Sequence, residues 1–337
     1  MKIKVFSLII VITLSLFIQG FAAGQQDSST EGVKEIIKIT MAISDQPQDV
    51  VSLAAMKWAE ELKKRSNGKM IMDVFTGGVL GSPNEVYDAI SINDIQGHMG
   101  GPTFLHSRLQ EYQIMEAEYV YENEAHGRRV WDGALGDKVK KALEDKFNMK
   151  LLGVASRGAR NVTSNKPILK PEDLKGIKIR VTNPLRQEVF KAFGALPSPL
   201  SIKEVYGALK TGVFDAQENP IVTIYGNKYY EVQKYINLTR HVWSYYTAVL
   251  SNDFYNSLTP EQQKLLVESW EVVRDWLDSE VPRMESELLE KMQTEYGVIV
   301  TKPDIMPFIE KARPIVKAFA DKNCIPGLLD EIASYAE

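Results

Sequence analysis

Two arginines, Arg160 and Arg180, flank the segment DLKGIKIRV (residues 173–181), and an acidic, amide-rich stretch, DAQENP (215–220), lies downstream. Read as a strand with period two, Ile177, Ile179 and Val181 point into a core, and Lys178 and Arg180 point the other way. Arg180 then stands at the carboxyl end of its strand, the edge where open α/β sheets bind ligands. A guanidinium is a planar fork that matches a carboxylate with two parallel hydrogen bonds, and it stays charged at physiological pH. Taken alone, the two arginines suit surface or interdomain ion pairs equally well.

Other chemistry finds little support. The four histidines, His98, His106, His126 and His241, fall in no zinc spacing, and there is no nucleophile elbow, Walker loop or dinucleotide fingerprint. The glycine-rich TGGVLG (76–81) could cradle an anion or simply turn the chain. A hidden carboxylate pair of the glycosidase kind is the enzyme alternative, since spacing does not reveal which acids meet. No catalytic residue, metal or cofactor is expected.

The elements that must position such a site alternate in type. IIKITMA (36–42) and KMIMDVF (69–75) predict strands around a helix whose Val51, Ala55, Trp58 and Leu62 share a face, with Asn67 and Gly68 ending it. Ser82 with Pro83 and Glu85, Ser201 with Glu204, and Thr259 with Pro260 and Gln262 predict capping boxes. The boxes give Glu85 and Glu204 a local role on a backbone amide, which is the reading taken for Glu204. From Pro260 to about Glu295 a stripe of Leu266, Trp270, Val273, Leu277, Met284, Leu288 and Met292 predicts one long helix, kinked or interrupted at Pro282.

At 337 residues the chain has room for two α/β domains. Lys2 and Lys4, the apolar run 5–18 and the small residues Gly20, Ala22, Ala23 and Gly24 predict a cleaved signal peptide, residues 1–23, followed by a polar lead-in, 24–35. Cleavage removes two lysines and no acid, so the formal net charge of −4 becomes −6. An acidic chain speaks against nucleic acid as a partner. The single Cys324 permits no intrachain disulfide.

GAR (158–160) with Thr163, Ser164 and Asn165, then DLKGIKIRV, GALPSPLS (194–201), EVYGALKTGVFDAQENP (204–220), YYEVQKYINLTRH (229–241) and LTPEQQ (258–263) run in an order specific to one family. With NGK (67–69) and LGSPNEV (80–86), nearly the whole mature chain resembles the solute-binding proteins of tripartite ATP-independent periplasmic (TRAP) transporters, the DctP-like family. The resemblance implies a two-domain clam-shell α/β fold with a long C-terminal helix spanning both domains. Residues 36–157 with about 243–257 would form the first domain, and 158–242 with about 258–337 the second.

It also implies that Arg180 pairs with a ligand carboxylate, that Arg160 is a second pocket arginine, and that Asn219 and Asn183 are polar pocket positions. Glu85 occupies a position that contacts ligand in some members, in competition with its capping role. Asp45 and Gln46, with Gly100 to Pro102, would form the opposite wall. His241 is either a cleft residue or a satisfied crossover histidine. The chain departs from many members at EYVY (118–121), where an apolar run with proline is common. The expected role is that of a periplasmic, monomeric binding protein that closes on a small carboxylate and delivers it to the membrane subunits of a transporter. A sugar acid such as a hexuronate ranks first as ligand, with a C4-dicarboxylate using Arg160 for its second charge as the alternative.

Overall fold

The computed structural model describes residues 36–336, so the expected signal peptide and lead-in lie outside the described residues. The chain opens with β1 (Ile37–Ala42), α1 (Val50–Arg65), β2 (Met70–Phe75), α2 (Pro83–Ser91) and β3 (Gly97–Gly100), and β1 pairs in parallel with both β2 and β3. Asp49 caps α1 by accepting from the amide of Val51, and Val51, Ala55, Trp58 and Leu62 are buried along one face as expected. Asn67 and Gly68 then reverse the chain at φ of 49° and 75°. The Ser82 capping box forms with Glu85, as does the Thr259 box with Gln262. The Ser201 box does not form: the Ser201 side chain makes no capping bond, because it faces a cavity instead.

Next come α3 (Phe104–Ser107), α4 (Glu124–Asp132), α5 (Ala134–Phe147), β4 (Met149–Ser164), β5 (Lys178–Val181), α6 (Pro184–Ala192), β6 (Leu196–Pro199), α7 (Ile202–Lys210), β7 (Ala216–Pro220) and α8 (Ile221–Gly226). β8 (Tyr235–Ser251), α9 (Asn252–Ser257), α10 (Pro260–Tyr296), β9 (Ile299–Thr301), α11 (Met306–Asn323) and α12 (Leu328–Ala333) complete the described residues. One sheet runs in the order β2-β1-β3-β8-β4-β7-β5-β6, with β9 on β8. The antiparallel pair β4 and β8 forms its spine. β8 pairs with β9 through Tyr235–Asn237 and with β3 through Thr247–Leu250, and the far end of β4 pairs with β7. Their mutual register slips between Ser156 and Gly158 and again between Arg160 and Val162. Gly158 (φ 83°) and Arg240 (φ 43°) absorb those slips in left-handed conformations.

α10 runs as one helix through Pro282, so of the expected kink or interruption the interruption is absent. Burial explains the tolerance: Leu266, Trp270, Val273, Leu277 and Val281 on one side of the proline and Met292 on the other are all locked in core. Trp58 of α1 packs on Trp270 at 5.4 Å between ring centroids and donates its indole N–H to Ser269 at 2.9 Å. At the sheet's end, β6 pairs in parallel with β5 only, and the Leu196 amide turns inward to the carbonyl of Ile177.

Candidate ligand-binding site

A cavity of about 370 Å³ opens over the carboxyl ends of β1, β3 and β5 and is walled on its far side by the β6–α7 turn. That volume lies at the small end of the range for ligand pockets, roughly 300–1,000 Å³. Ser44 and Asp45 follow β1, Ser82 to Asn84 begin α2, and Gly100, Gly101 and Thr103 end β3. Arg157 and Arg160 come from β4, Arg180 and Thr182 from the end of β5, Pro199 to Ile202 from the turn before α7, and Asn219 from β7.

Arg180 stands where the period-two reading places it, with Ile179 and Val181 buried on the opposite side. Its Nε and Nη2 both donate to the carbonyl of Leu200, at 2.8 and 2.6 Å, while Nη1 is buried without a partner. Burial pushes this guanidinium down to about 10, which leaves it charged at neutral pH.

Arg160 also lines the cavity, but its fork is occupied. Nε and Nη2 donate to the two carboxylate oxygens of Glu218 at 2.5 and 2.9 Å, and Nη2 reaches the Glu218 carbonyl and Asn219 Oδ1. Burial works against the Glu218 charge, yet Arg160, Arg186 and His241 together hold this carboxyl well below the usual range. His241 lies behind the cavity wall. Burial lowers its pKa, so the ring is neutral, and its Nε2–H donates to Glu218 at 3.0 Å while Nδ1 accepts from Thr239. Arg186 in turn donates to Glu118 at 2.8 Å. The departure at EYVY therefore has a physical reason: Glu118 is the buried counter-charge of Arg186, and Tyr121 packs edge-on against His126.

Asn219 faces the cavity, its Oδ1 on Arg160 and its Nδ2 donating to Gln217. Asp45 faces it from the other wall, with Oδ1 buried and unpartnered. Burial raises the Asp45 carboxyl, against the opposing pull of Arg157, Arg180 and Arg160. The remaining expected positions stand outside. Asn183 caps α6 by accepting from the Arg186 amide, and Thr182 takes the cavity position beside it. Glu85 is held by the Ser82 amide, and Gln46 turns to a separate surface depression with Lys203 and Tyr206.

Sequence reasoning missed Arg157 and His98. On a regular strand, residues 157 and 160 face opposite sides. The slip at Gly158 makes Arg157 the extra residue of a bulge and brings both arginines to one cavity. The signal was the glycine between them in SRGAR. The Arg157 guanidinium lies 5.1 Å over the Tyr246 ring and against the backbone of Gly101, where a Cβ would sit 2.5 Å from Nη1. His98 is neutral, pushed down to about 4 by burial, with Nδ1 on the Ala42 carbonyl.

With Arg160 matched by Glu218 and Arg186 by Glu118, the cavity is left with Arg180 and Arg157 facing Asp45, an excess of one positive charge even with Asp45 ionised. This is the electrostatics of an anion site. The sequence profile of bacterial extracellular solute-binding protein family 7 (DctP) matches residues 41–323. The 2,3-diketo-L-gulonate-binding periplasmic protein YiaO of Escherichia coli (strain K12) is 29% identical over 299 residues, 88% of this chain and 89% of its own length. The ectoine-binding periplasmic protein TeaA of Halomonas elongata is 32% identical over 295 residues, 84% of either chain. The fold agrees as well, since a TRAP periplasmic solute binding protein from Ochrobacterium anthropi, solved with bound L-fuconate, superposes with a TM-score of 0.83 at 28% identity, over 89% of this chain and 99% of its own. The matched span holds every wall of the cavity and the long helix α10, and on that ground the chain belongs to the DctP family of TRAP solute-binding proteins, whose role is binding and not catalysis.

Proposed function

We propose that this protein captures a sugar acid outside the cytoplasm, in the periplasm, and hands it unchanged to the membrane subunits of a TRAP transporter. The observation that carries this reading is Arg180. With Nε and Nη2 tied to Leu200, the guanidinium is fixed in one plane, and its Nη1 and Nη2 edge is the prong pair for a ligand carboxylate. Relatives that bind 2,3-diketo-L-gulonate and L-fuconate support a hydroxylated acid. A C4-dicarboxylate is the weaker reading, because Arg160 already spends both prongs on Glu218. Asn219 and Asp45 complete the polar lining, while Asn183, Glu85, Gln46 and His241 act as supports or rim residues.

Capture works by closure of two lobes, residues 36–157 with 243–257 against 158–242 with 258–337. The paired irregularities at Gly158 and Arg240 lie at those boundaries and support a bend there. Closure is a population shift and needs ligand contacts made only when the lobes meet. A thermal-shift screen of L-fuconate, D-glucuronate, L-galactonate, succinate and malate, with recovery of the ligand unaltered, tests the class. Solution scattering tests closure: the radius of gyration is expected to fall on saturation, and unchanged dimensions at several protein concentrations rule the clamp out.

A further inference from the structure

We propose that Arg157 and Asp45 form a second, hydroxyl-reading end of the cavity, which selects acids with one carboxylate and adjacent hydroxyls over acids with two carboxylates. The proposal rests on the reading of this cavity as an organic-acid site with Arg180 as its carboxylate anchor. Arg157 is 7% exposed, yet among the described residues it has no hydrogen-bond or ion-pair partner, and its Nε is buried and unpaired. The Tyr246 ring lies beneath it and the Gly101 backbone beside it. Facing the same space, Asp45 Oδ1 and Ser44 Oγ are likewise buried without partners.

Unmet groups of this kind, donors on one side and acceptors on the other, cost free energy until something fills them. A guanidinium only donates, and a carboxylate only accepts. A hydroxyl does both through one oxygen, so neighbouring ligand hydroxyls can accept from Arg157 while donating to Asp45. Such donation also holds Asp45 in its ionised form. A second ligand carboxylate would suit Arg157 but would meet the buried Asp45 as a like charge. The charge count agrees: with Asp45 ionised by those donated hydrogen bonds, Arg180, Arg157 and Asp45 leave room for one negative charge.

The test is titration calorimetry at neutral pH with L-galactonate and with galactarate, which carries a second carboxylate on a matching hydroxylated skeleton. L-galactonate is expected to bind tighter than galactarate by about tenfold or more. Arg157→Gln is expected to weaken L-galactonate by a similar factor without lowering the melting temperature of the ligand-free protein, which a purely structural arginine would lower. Asp45→Asn is expected to narrow or reverse the preference, and it decides the matter alone if Arg157→Gln fails to fold. Wild-type affinity in Arg157→Gln, or tighter binding of galactarate by the wild type, overturns the proposal. If Arg180→Lys still weakens binding of both acids by about thirtyfold or more in that case, the organic-acid reading survives it. If the wild type binds neither acid, that reading falls and the proposal with it.

Discussion

Glu218 holds both prongs of Arg160, Nε at 2.5 Å and Nη2 at 2.9 Å, so this cavity-lining arginine is a structural cation with its counter-charge built in. The same carboxylate stands 3.6 Å from Arg186 Nη1 and accepts from His241. Removing the charge leaves the buried Arg160 guanidinium uncompensated, since Arg186 keeps Glu118. Glu218→Gln is therefore expected to cost about 3–5 kcal/mol in urea denaturation, and a loss under about 1 kcal/mol would mean the network is screened by water.

Arg180 has no such partner, and its value lies in shape rather than charge. Arg180→Lys keeps the cation but presents one point where two prongs stood, and it breaks the bidentate grip on Leu200. Calorimetry with L-fuconate is expected to show a loss of about thirtyfold or more, consistent with roughly 2–5 kcal/mol for a desolvated charge pair. Near wild-type affinity would place the carboxylate elsewhere.

Two helical glycines make a paired test of packing. A Cβ at Gly136 would lie 1.8 Å from the Trp131 carbonyl oxygen, a backbone atom with nowhere to retreat, while a Cβ at Gly207 in α7 meets nothing within 4 Å. Gly136→Ala is expected to destabilise by about 3 kcal/mol or more. Gly207→Ala is expected to stabilise by roughly 0.4–1 kcal/mol, through helix propensity and a less flexible unfolded chain. Thermal melts of the two variants read the contrast directly, and a Gly136→Ala variant as stable as the wild type would contradict it.

Asp49 gives the fold a pH dependence of its own. Burial, with the charge of Asp45 behind it, pushes this carboxyl up to about 8, against an unfolded value near about 3.9. In that window the folded chain keeps a proton the unfolded chain has lost. The stability it contributes is complete below about pH 4 and is lost as pH rises through about 8, by at most about 1.4 kcal/mol per pH unit. Asp49→Asn retains an N-cap side chain for α1 and removes the titration. Its ligand-free melting temperature is expected to fall less than that of the wild type between about pH 5 and about pH 8, and parallel curves would show that Asp49 is ionised throughout.

Local signals carried much of this fold into view. The capped starts of α2 and α10, the stripe of α10 and the inward Ile179 and Val181 all follow from periodicity and from the needs of unpaired helix amides. Arg180 was legible because a short regular strand obeys period two. Arg157 was not, because one bulge at Gly158 inverts that parity and a bulge is a property of two strands, not one. The role of Glu218 was hidden for a similar reason. Its partners Arg160, Arg186 and His241 come from two strands and a helix, and only the completed fold brings them together. Asn183 and Glu85 show the converse, with polar residues at helix starts claimed by local amides.

The end strand β6 has a consequence for how this protein behaves in company. In a parallel strand, successive amides face opposite neighbours, and Leu196 gives its amide to β5, so positions 197 and 199 face outward. Both are proline. The outer margin of β6 thus offers carbonyls but no N–H at those positions, and a strand from another molecule cannot complete a ladder against it. The sheet's growth is terminated chemically on that side, a safeguard against edge-to-edge aggregation written into two residues of LPSP.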